Sequence, residues 1–272
     1  ALDHRTLLKD SVIKINKLRN EVKSLKASQT EDIAIIGIGC RFPGHVDSAQ
    51  AFTHLLYEGI DGITEMFNER WDMTVHYDPV PGKANKIYTR SAGLVDNVAQ
   101  FDADFFGIAP AEAVSMDPQQ RLLLEVSWEA IEQAGYNLQS IQQADTGVFV
   151  GLSNREYAFV RSGLGNPSDI TAYDGTGNAG SVASGRISYF LGAGGPSMTV
   201  DTACSSSLLA VDLACKSLLD NECKMALAAG VNLMLSPSTS IAFSQTRMLA
   251  VDGRCKTFDA RADGYVRSEG CG

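Results

Sequence analysis

The sequence predicts an α/β fold in which a mostly parallel sheet is covered by helices, and two kinds of observation support this prediction. Mostly apolar runs at 33–38, 146–151 and 225–235 are typical of strands that are buried on both faces. Between such runs lie segments whose apolar residues follow helical spacing, as in 116–134. Strands that alternate with helices along a chain favour parallel pairing, with the helices packed on the sheet.

The same patterns predict each element in chain order. We expect a strand at 33–38, a helix at 48–57, loops and short strands at 59–104, a helix at 116–134, a strand at 146–151, a helix at 178–191, a strand at 197–201, a helix at 205–219 and a strand at 225–235. The helix at 116–134 has the strongest pattern, because Leu122, Val126 and Ile131 recur at helical spacing and Gly135 can end it.

Composition limits the possible classes of protein. The chain has 272 residues, of which 44% are hydrophobic and 20% charged, as in globular proteins. The net charge of −9 argues against nucleic acid as a main partner. No apolar run approaches the roughly 20 residues that a membrane helix needs, and no secretory signal is visible. We therefore expect a soluble cytoplasmic protein with no membrane partner, whose six cysteines are reduced thiols rather than a zinc site.

Residues 1–28 are predicted to form a separate unit, a short coiled-coil helix. Its seam has 3–4 spacing with one serine among the apolar residues, namely Leu8, Ser11, Ile15, Leu18, Val22 and Leu25. Residues 1–30 hold seven Lys and Arg against three Asp and Glu, so the remaining 31–272 carry a net charge of −13. Because the heptads are few, a solvated helical extension is the alternative.

Cys204 stands in the segment VDTACSSSL (200–208), where a predicted strand ends, a tight turn follows and a helix begins. Unpaired backbone N–H groups and the positive end of a helix dipole stabilise a thiolate at such a place. A strand–turn–helix junction also projects a side chain over the sheet edge, as in a nucleophile elbow. The pattern therefore predicts a cysteine nucleophile, with a buried structural thiol beside serine helix caps as the alternative.

Two glycine patterns raise nucleotide binding as a further alternative. Residues 37–39 follow a predicted strand, but Phe42 stands where the third glycine of the fingerprint belongs. Residues 175–180 match GxGxxG, yet 168–174 are not a plausible strand to precede it. We therefore expect these glycines to allow close packing between helix and backbone.

Five ordered segments resemble the ketosynthase domain of modular polyketide synthases. They read DIAIIGIGCRFPG (32–44), FDADFFGIAPAEAVSMDPQQRLLLEVSWEAIEQAG (101–135), GNAGSVASGRISYFLG (177–192), VDTACSSSL (200–208) and DGRCKTFDARADGYVRSEGCG (252–272). The resemblance spans 31–272 nearly end to end. The predicted coiled coil at 1–28 is also similar to one that these synthases carry, where it docks onto the C-terminal segment of the preceding synthase polypeptide.

The resemblance implies a thiolase-like fold with αβαβα layers, built from two similar halves, that works as a homodimer. Residues 31–272 would form the N-terminal half and part of the second. No cofactor is bound directly: the cysteine takes an acyl chain from the 4'-phosphopantetheine of an acyl carrier protein. A malonyl-type extender then loses CO2, and its carbanion attacks the acyl thioester to give a β-ketoacyl chain that is two carbons longer.

The resemblance also assigns residues. It implies Cys204 as the nucleophile, with its own N–H as one oxyanion-hole donor. Phe258 would line the pocket near the cysteine or, alternatively, be a core aromatic. Asn178 and Ala179 belong to a segment that lies beside the acyl pocket at the dimer contact, or they serve packing alone. Three residues of the motif MDPQQR have no predicted chemistry and would fix a helix start: Asp117, Gln120 and Arg121.

Decarboxylation in this family needs two histidines, in HGTGT-like and NxGHxxxA-like motifs. None of the four histidines of this chain, His4, His45, His54 and His76, stands in such a motif. We therefore expect a truncated portion of a larger synthase that can be acylated but is inactive in condensation. The alternatives are a fatty-acid-type ketosynthase and a non-catalytic docking or scaffold fragment, and Cys204 argues against the second.

Overall fold

The computed structural model describes residues 4–28, 31–66, 70–164 and 170–272. Its helices are α1 (His4–Ser28), α2 (Ala49–Glu58), α3 (Met73–His76), α4 (Pro110–Ser115), α5 (Pro118–Gln133), α6 (Leu138–Gln143), α7 (Glu156–Leu164), α8 (Ala172–Asn178), α9 (Ser181–Leu191), α10 (Ser206–Leu219) and α11 (Pro237–Gln245). Its strands are β1 (Ile63–Glu65), β2 (Ser91–Gly93), β3 (Gly147–Gly151), β4 (Ser197–Val200), β5 (Ala226–Asn232) and β6 (Gly270–Cys271). Residues 1–3 of the predicted N-terminal unit, and residues 29–30 between the two predicted units, lie outside the described residues.

The central sheet has the strand order β4–β3–β5–β6. β3 runs parallel to both of its neighbours, with Val148 opposite Ser197 of β4 and opposite Leu227 of β5. β6 runs antiparallel to β5 and pairs Cys271 with Val231. The predicted mostly parallel sheet is thereby confirmed, and the carboxyl ends of β3, β4 and β5 share one edge of it.

Helices pack on both faces of this sheet. Val148 and Val150 of β3 are fully buried in a core that contains Leu123 of α5 and Ile187 of α9. Phe149, between them, packs with α10 on the opposite face. Because successive strand residues point to opposite faces, β3 is buried on both, which is why its sequence lacks polar alternation.

The predicted helices at 48–57, 116–134 and 205–219 are confirmed as α2, α5 and α10. Ser48 Oγ accepts the Ala51 amide at the start of α2, and Gly59 ends that helix with a φ of 64°. The region 59–104 holds the antiparallel pair β1–β2 and loops, as predicted, together with the short helix α3, which was not predicted.

The helix predicted at 178–191 is confirmed as α9, and Asn178 alone of this range belongs to the preceding helix α8. The prediction missed α8, which begins with a capping box between Thr171 and Asp174. Gly177 allows α8 to approach α4, because a Cβ there would lie 2.3 Å from the Ser115 carbonyl oxygen. The expected role of glycine in close packing is confirmed at Gly177. The GxGxxG match begins inside a helix rather than after a strand, which removes the nucleotide-binding alternative.

The prediction of a buried strand at 33–38 is wrong. This segment belongs to no strand in the described residues, and Ile35 is 82% exposed. Cys271 of β6 exchanges two backbone hydrogen bonds with Arg41, of 2.8 and 2.9 Å, while the next residue bonds to β5. β6 thus lies between β5 and the segment that contains Arg41. In the described residues, no strand lies beside 33–38. A strand needs hydrogen bonds from a neighbour, which an apolar sequence by itself does not provide.

α1 is confirmed as a helix, and its apolar seam faces solvent. Leu8, Ile15, Leu18 and Val22 are between 50% and 66% exposed, and the Leu25 side chain lies outside the described residues. A coiled coil needs a second helix on this seam, so coiled-coil pairing stays a prediction. Neither α1 nor another described helix combines the length and the hydropathy required to cross a bilayer.

Candidate active site

The turn between β4 and α10 places Cys204 at the exposed carboxyl edge of the sheet. β4 ends at Val200, a 3-10 turn spans Ala203–Ser205, and α10 begins at Ser206. The strand–turn–helix junction that the sequence predicts is therefore present, and the Cys204 thiol is exposed. Ala203 adopts a φ of 56°, a region that costs a non-glycine residue about 1 kcal/mol. The backbone strain lies directly before the cysteine.

Two side chains hold the strained peptide of Ala203. Asp201 Oδ1 accepts the Ala203 amide at 3.0 Å. Ser206 Oγ donates to the Ala203 carbonyl at 2.7 Å and accepts the Thr202 amide at 2.9 Å. The N–H and the C=O of Ala203 are thus both bonded within the turn, which offsets the cost of its conformation.

Ser153 connects these two side chains from a neighbouring strand end. Its hydroxyl donates to Asp201 Oδ1 at 2.6 Å and lies 3.1 Å from Ser206 Oγ. This bond, followed by the one from the Ala203 amide, holds the pKa of Asp201 below its usual range. The Asp201 carboxylate is therefore ionised at neutral pH and accepts both bonds.

Two glycines let the first turn of α10 lie directly on the sheet. A Cβ at Gly151 of β3 would lie 2.6 Å from the Ser206 carbonyl carbon, and one at Gly230 of β5 would lie 2.6 Å from the Ser207 Cβ. Adjacent strands therefore support the start of the helix that carries Cys204. A larger residue at either position would push this helix start away from the sheet.

The six cysteines are free thiols that differ in exposure. Cys204 and Cys255 are exposed, whereas Cys40, Cys223 and Cys271 are buried. Burial raises the pKa of the Cys40 and Cys271 thiols, which keeps them protonated at neutral pH. Chemistry with a solution reagent is thus confined mainly to the two exposed thiols. Of these, Cys204 has an amide N–H that bonds to no acceptor among the described residues.

Tyr265, Phe243 and Arg267 pack against one another, and the pKa of Tyr265 responds to the charge of Cys204. The rings of Phe243 and Tyr265 are 6.1 Å apart, and the Arg267 guanidinium lies 5.5 Å from the Phe243 ring centroid. Burial raises the pKa of Tyr265, the positive Arg267 lowers it, and negative charge on Cys204 raises it further. Burial lowers the pKa of Arg267, whereas the negative charge of Glu156 raises it.

Asn178 and Ala179 lie at the end of α8, where they bond to neighbouring backbone and side chains. Asn178 Nδ2 donates to the carbonyl oxygens of Ser115 at 3.3 Å and Asp174 at 2.8 Å. The Ala179 carbonyl accepts Gln120 Nε2 at 3.3 Å. Asn178 Oδ1 is buried and has no partner in the described part of the chain. These hydrogen bonds hold the end of α8 against its neighbours. Contact of Asn178 or Ala179 with substrate stays a prediction.

Phe258 is fully exposed, with a relative accessibility of 104% and a φ of 65°. The alternative that it is a core aromatic is therefore wrong. It stands in a loop in which Lys256 pairs with Asp252 at 2.8 Å and Asp263 at 2.6 Å. Its predicted place in a pocket near Cys204 stays a prediction.

The motif MDPQQR fixes the start of α5, as predicted. Asp117 Oδ1 accepts the Gln119 amide at 2.8 Å, and Arg121 Nη2 donates to the Met116 carbonyl at 2.6 Å. Gln120 Nε2 reaches the Thr176 carbonyl at 3.3 Å, which ties α5 to α8. Burial raises the pKa of Asp117 to about 6, although hydrogen bonds from Gln119 oppose the shift.

His45, His54 and His76 take no part in the hydrogen bonds of the Cys204 turn. His45 Nδ1 pairs with Asp96 Oδ2 at 2.6 Å on an exposed surface, while His54 lies on α2 and His76 ends α3. Within the described ranges, no cluster of three or more His, Cys, Asp or Glu side chains could hold a metal ion.

Sequence reasoning did not identify Ser153, Asp201 and Tyr265 as part of the site. A usable signal existed for the first two, because parallel strands end at one edge of a sheet. Ser153 follows β3 and Asp201 follows β4, so the two residues are neighbours at that edge. Tyr265 carried no such signal, since it lies in an irregular segment far along the chain.

Comparison with known proteins identifies a family and several relatives whose sequences are similar to this chain. Residues 30–272 match the family model described as "Beta-ketoacyl synthase, N-terminal domain". One component of the phenolphthiocerol/phthiocerol polyketide synthase of Mycobacterium tuberculosis is 51% identical over 242 residues, which are 89% of this chain and 13% of that protein. Another component of the synthase from the same species is 50% identical over 242 residues, again 89% of this chain and 16% of that protein.

Solved structures give the same result. The oxazolomycin ketosynthase domain OzmH KS7 of Streptomyces albus superposes with a TM-score of 0.81 and 36% identity, over 87% of this chain and 40% of that one. The ketosynthase from module 6 of the bacillaene synthase of Bacillus subtilis has a TM-score of 0.75 and 35% identity, over 88% of this chain and 38% of that one. The chain thus spans less than half of the length of each of these four relatives.

Proposed function

Because the chain belongs to the β-ketoacyl synthase family and shares the thiolase-like α/β fold of polyketide synthase ketosynthase domains, we propose that Cys204 accepts an acyl chain during polyketide assembly. The donor is an acyl thioester on the 4'-phosphopantetheine of an acyl carrier protein. No cofactor of its own is assigned to this chain. The observation that carries the proposal is the exposed Cys204 thiol at the start of α10, next to the strained Ala203 peptide, whose N–H and C=O are both hydrogen-bonded.

The chemistry needs a nucleophile and a donor for the developing oxyanion. The Cys204 thiolate attacks the thioester carbonyl carbon, a new C–S bond forms, and the carbonyl oxygen becomes negative. The free N–H of Cys204 can donate to that oxygen. The tetrahedral intermediate then collapses, the C–S bond to phosphopantetheine breaks, and the carrier leaves as a thiol after it takes up a proton.

Carbon–carbon bond formation is assigned to the complete domain. There a malonyl-type extender on a carrier protein loses CO2, and its carbanion displaces the acyl chain from Cys204. The two histidines that the family uses for this step have no counterpart among the four histidines of this sequence. Loading of Cys204 is therefore the partial reaction to which the residues of this chain contribute.

Peptide mapping after acyl transfer tests this proposal. The chain is incubated with a butyryl group carried on the phosphopantetheine of an acyl carrier protein and then digested for mass spectrometry. We expect one butyryl group on Cys204, removable by hydroxylamine as a thioester should be, and none on Cys255, the other exposed thiol. Labelling of Cys255 at the same rate, or no labelling of Cys204, would contradict the proposal.

A homodimer is part of the proposed function, and the edge of the sheet supports it. β4 is an edge strand in the described sheet, with Ser197 and Met198 exposed. Val148 of β3 donates to the Pro196 carbonyl, and Leu152 donates to the Val200 carbonyl. By strand alternation, the main-chain groups of Ser197 therefore point away from β3 and are free to pair with a second copy.

Ser197→Pro is expected to convert the dimer to a monomer, because it removes an amide on the open edge. Proline is tolerated on an edge strand when its missing N–H faces outward, so the monomer should still fold. Sedimentation velocity measures the oligomeric state, with circular dichroism as the check on folding. Ser197→Thr keeps the amide and serves as the matched control, which should remain a dimer. A folded, dimeric Ser197→Pro variant would overturn pairing through β4.

Residues 1–28 are assigned to docking with the C-terminal segment of a preceding synthase polypeptide, and 31–272 to the ketosynthase portion. The exposed apolar seam of α1, which includes Ile15 and Leu18, supports a helical partner. The excess of basic residues in 1–30 favours an acidic partner segment. A cytoplasmic location belongs to the same proposal, because this chain would have to meet its carrier protein and the preceding synthase polypeptide in one compartment.

A further inference from the structure

We propose that Ser153 is a positioning residue for Cys204, which acts by fixing the turn that carries the thiol. The inference rests on the proposed function, in which Cys204 is the acylated residue. Ser153 supplies its hydroxyl from another strand end, outside the sequence motif that contains Cys204. Ser153 follows β3, whereas the cysteine follows β4.

The first step of the argument is that the turn needs external support. Ala203 holds a φ of 56°, which an alanine adopts only when its surroundings impose it. Local bonds from Asp201 and Ser206 reach the N–H and C=O of Ala203. Both of these side chains belong to the turn or to α10 itself, so they can move together with it.

The second step is that Ser153 fixes both of them to the rigid sheet. One hydroxyl oxygen lies 2.6 Å from Asp201 Oδ1, 3.1 Å from Ser206 Oγ and 3.4 Å from the Ala203 carbonyl oxygen. The bond to the carboxylate is short and charge-assisted, and bonds of that kind are the stronger ones. Ser153 thereby contacts each group that determines the direction of the Ala203 peptide.

The third step is that β3 gives Ser153 a fixed position. The Leu152 amide donates to the Val200 carbonyl at 3.1 Å, which ties the end of β3 to the end of β4. Leu152 is 3% exposed and Gly151 contacts the start of α10 without room for a Cβ. The hydroxyl is therefore presented from a packed strand end, and it restrains the turn relative to that strand.

The consequence is a defined orientation of the Cys204 thiol and of its free amide. If Ser153 is replaced, Asp201 loses its strongest partner and the Ala203 peptide can rotate toward ordinary φ values. Such a rotation would change the direction of the Cys204 amide and thiol relative to the sheet edge and the first turn of α10. The exposed thiol would remain, but its reactivity would fall because the N–H groups at the start of α10 no longer face it.

The test compares Ser153→Ala with Ser153→Thr in the full chain. Site-specific alkylation by iodoacetamide is followed by mass spectrometry across pH, and Cys255 in the same sample is the internal reference. For Ser153→Ala we expect the alkylation rate of Cys204 to fall by about three- to tenfold, the size associated with one lost hydrogen bond. Ser153→Thr retains the Oγ and should restore at least half of the rate. The Cys255 rate should be unchanged throughout.

Three results would overturn the inference. They are an unchanged Cys204 rate in Ser153→Ala, an equal fall for Cys204 and Cys255, and a failure of Ser153→Thr to recover the rate. Ser140→Ala is the matched control, because Ser140 Oγ likewise donates to a side-chain oxygen, Asn137 Oδ1, but lies before the start of β3. Since alkylation needs no carrier protein, a chain that shows these rates yet takes no butyryl group would refute the proposed function alone.

Discussion

Cys204→Ala should abolish acyl loading, with a fall of at least about 10³-fold in the rate of butyryl transfer, the scale seen when a nucleophile is deleted. Alanine has no group that can form the acyl bond. Three of the other thiols, Cys40, Cys223 and Cys271, cannot replace it because they are buried. The measurement is transfer of a radiolabelled butyryl group from an acyl carrier protein, read as protein-bound label.

The same substitution should leave stability nearly unchanged. Cys204 is exposed, and surface changes away from caps and networks shift the free energy of unfolding by roughly 0.5 kcal/mol or less. Cys255→Ala is the control, since it removes the other exposed thiol and should load normally. Normal loading of Cys204→Ala, or its loss in Cys255→Ala, would move the nucleophile to another residue.

Glu269→Gln is expected to lower the free energy of unfolding by about 3–5 kcal/mol, the cost of breaking a buried ion pair. The Glu269 side chain is completely buried and accepts Arg70 Nε at 3.0 Å and Arg70 Nη2 at 2.8 Å. It also accepts the amides of Val95 and Met234, both at 2.9 Å. Glutamine would remove the charge that balances Arg70 and would turn an NH2 group toward these donors.

Urea unfolding followed by circular dichroism measures this effect. A loss of this size is a large part of the roughly 5–15 kcal/mol by which domains are stable, so a fraction unfolded without denaturant is expected. Asp212→Asn is the matched control: it breaks the exposed pair with Lys216 on α10, and such pairs contribute roughly 0.3–0.5 kcal/mol. If both variants unfold at the same urea concentration as the parent chain, the buried pair does not stabilise the fold.

Much of the fold could be predicted from the sequence, because the determining signals are local. Capping residues such as Ser48 and Asp117 stand where α2 and α5 begin, and apolar spacing marks the faces that these helices bury. The continuous apolar run of β3 identified a strand in the middle of a sheet. The position of Cys204 after a strand and before a helix followed from the same patterns.

The predictions that were wrong involve contacts with distant residues. The segment 33–38 has the sequence of a buried strand, yet no strand pairs with it in the described residues, because pairing depends on another part of the chain. α8 was missed since its short, glycine-containing sequence gave no apolar period. The alternative that Phe258 is a core aromatic was wrong, because the exposure of an aromatic residue depends on what lies around its loop.

What the sequence by itself determined is the family and the local setting of Cys204: ordered motifs that belong to the β-ketoacyl synthase family, and a cysteine at a strand–helix junction. Only the tertiary structure decided how that cysteine is held. Ser153, Asp201 and Ser206 come from two strand ends and a helix, and they meet at the strained Ala203 peptide. The physical reason is that helix caps and periodicity act within a few residues, while hydrogen bonds across the sheet edge exist only after β3 and β4 have paired in register.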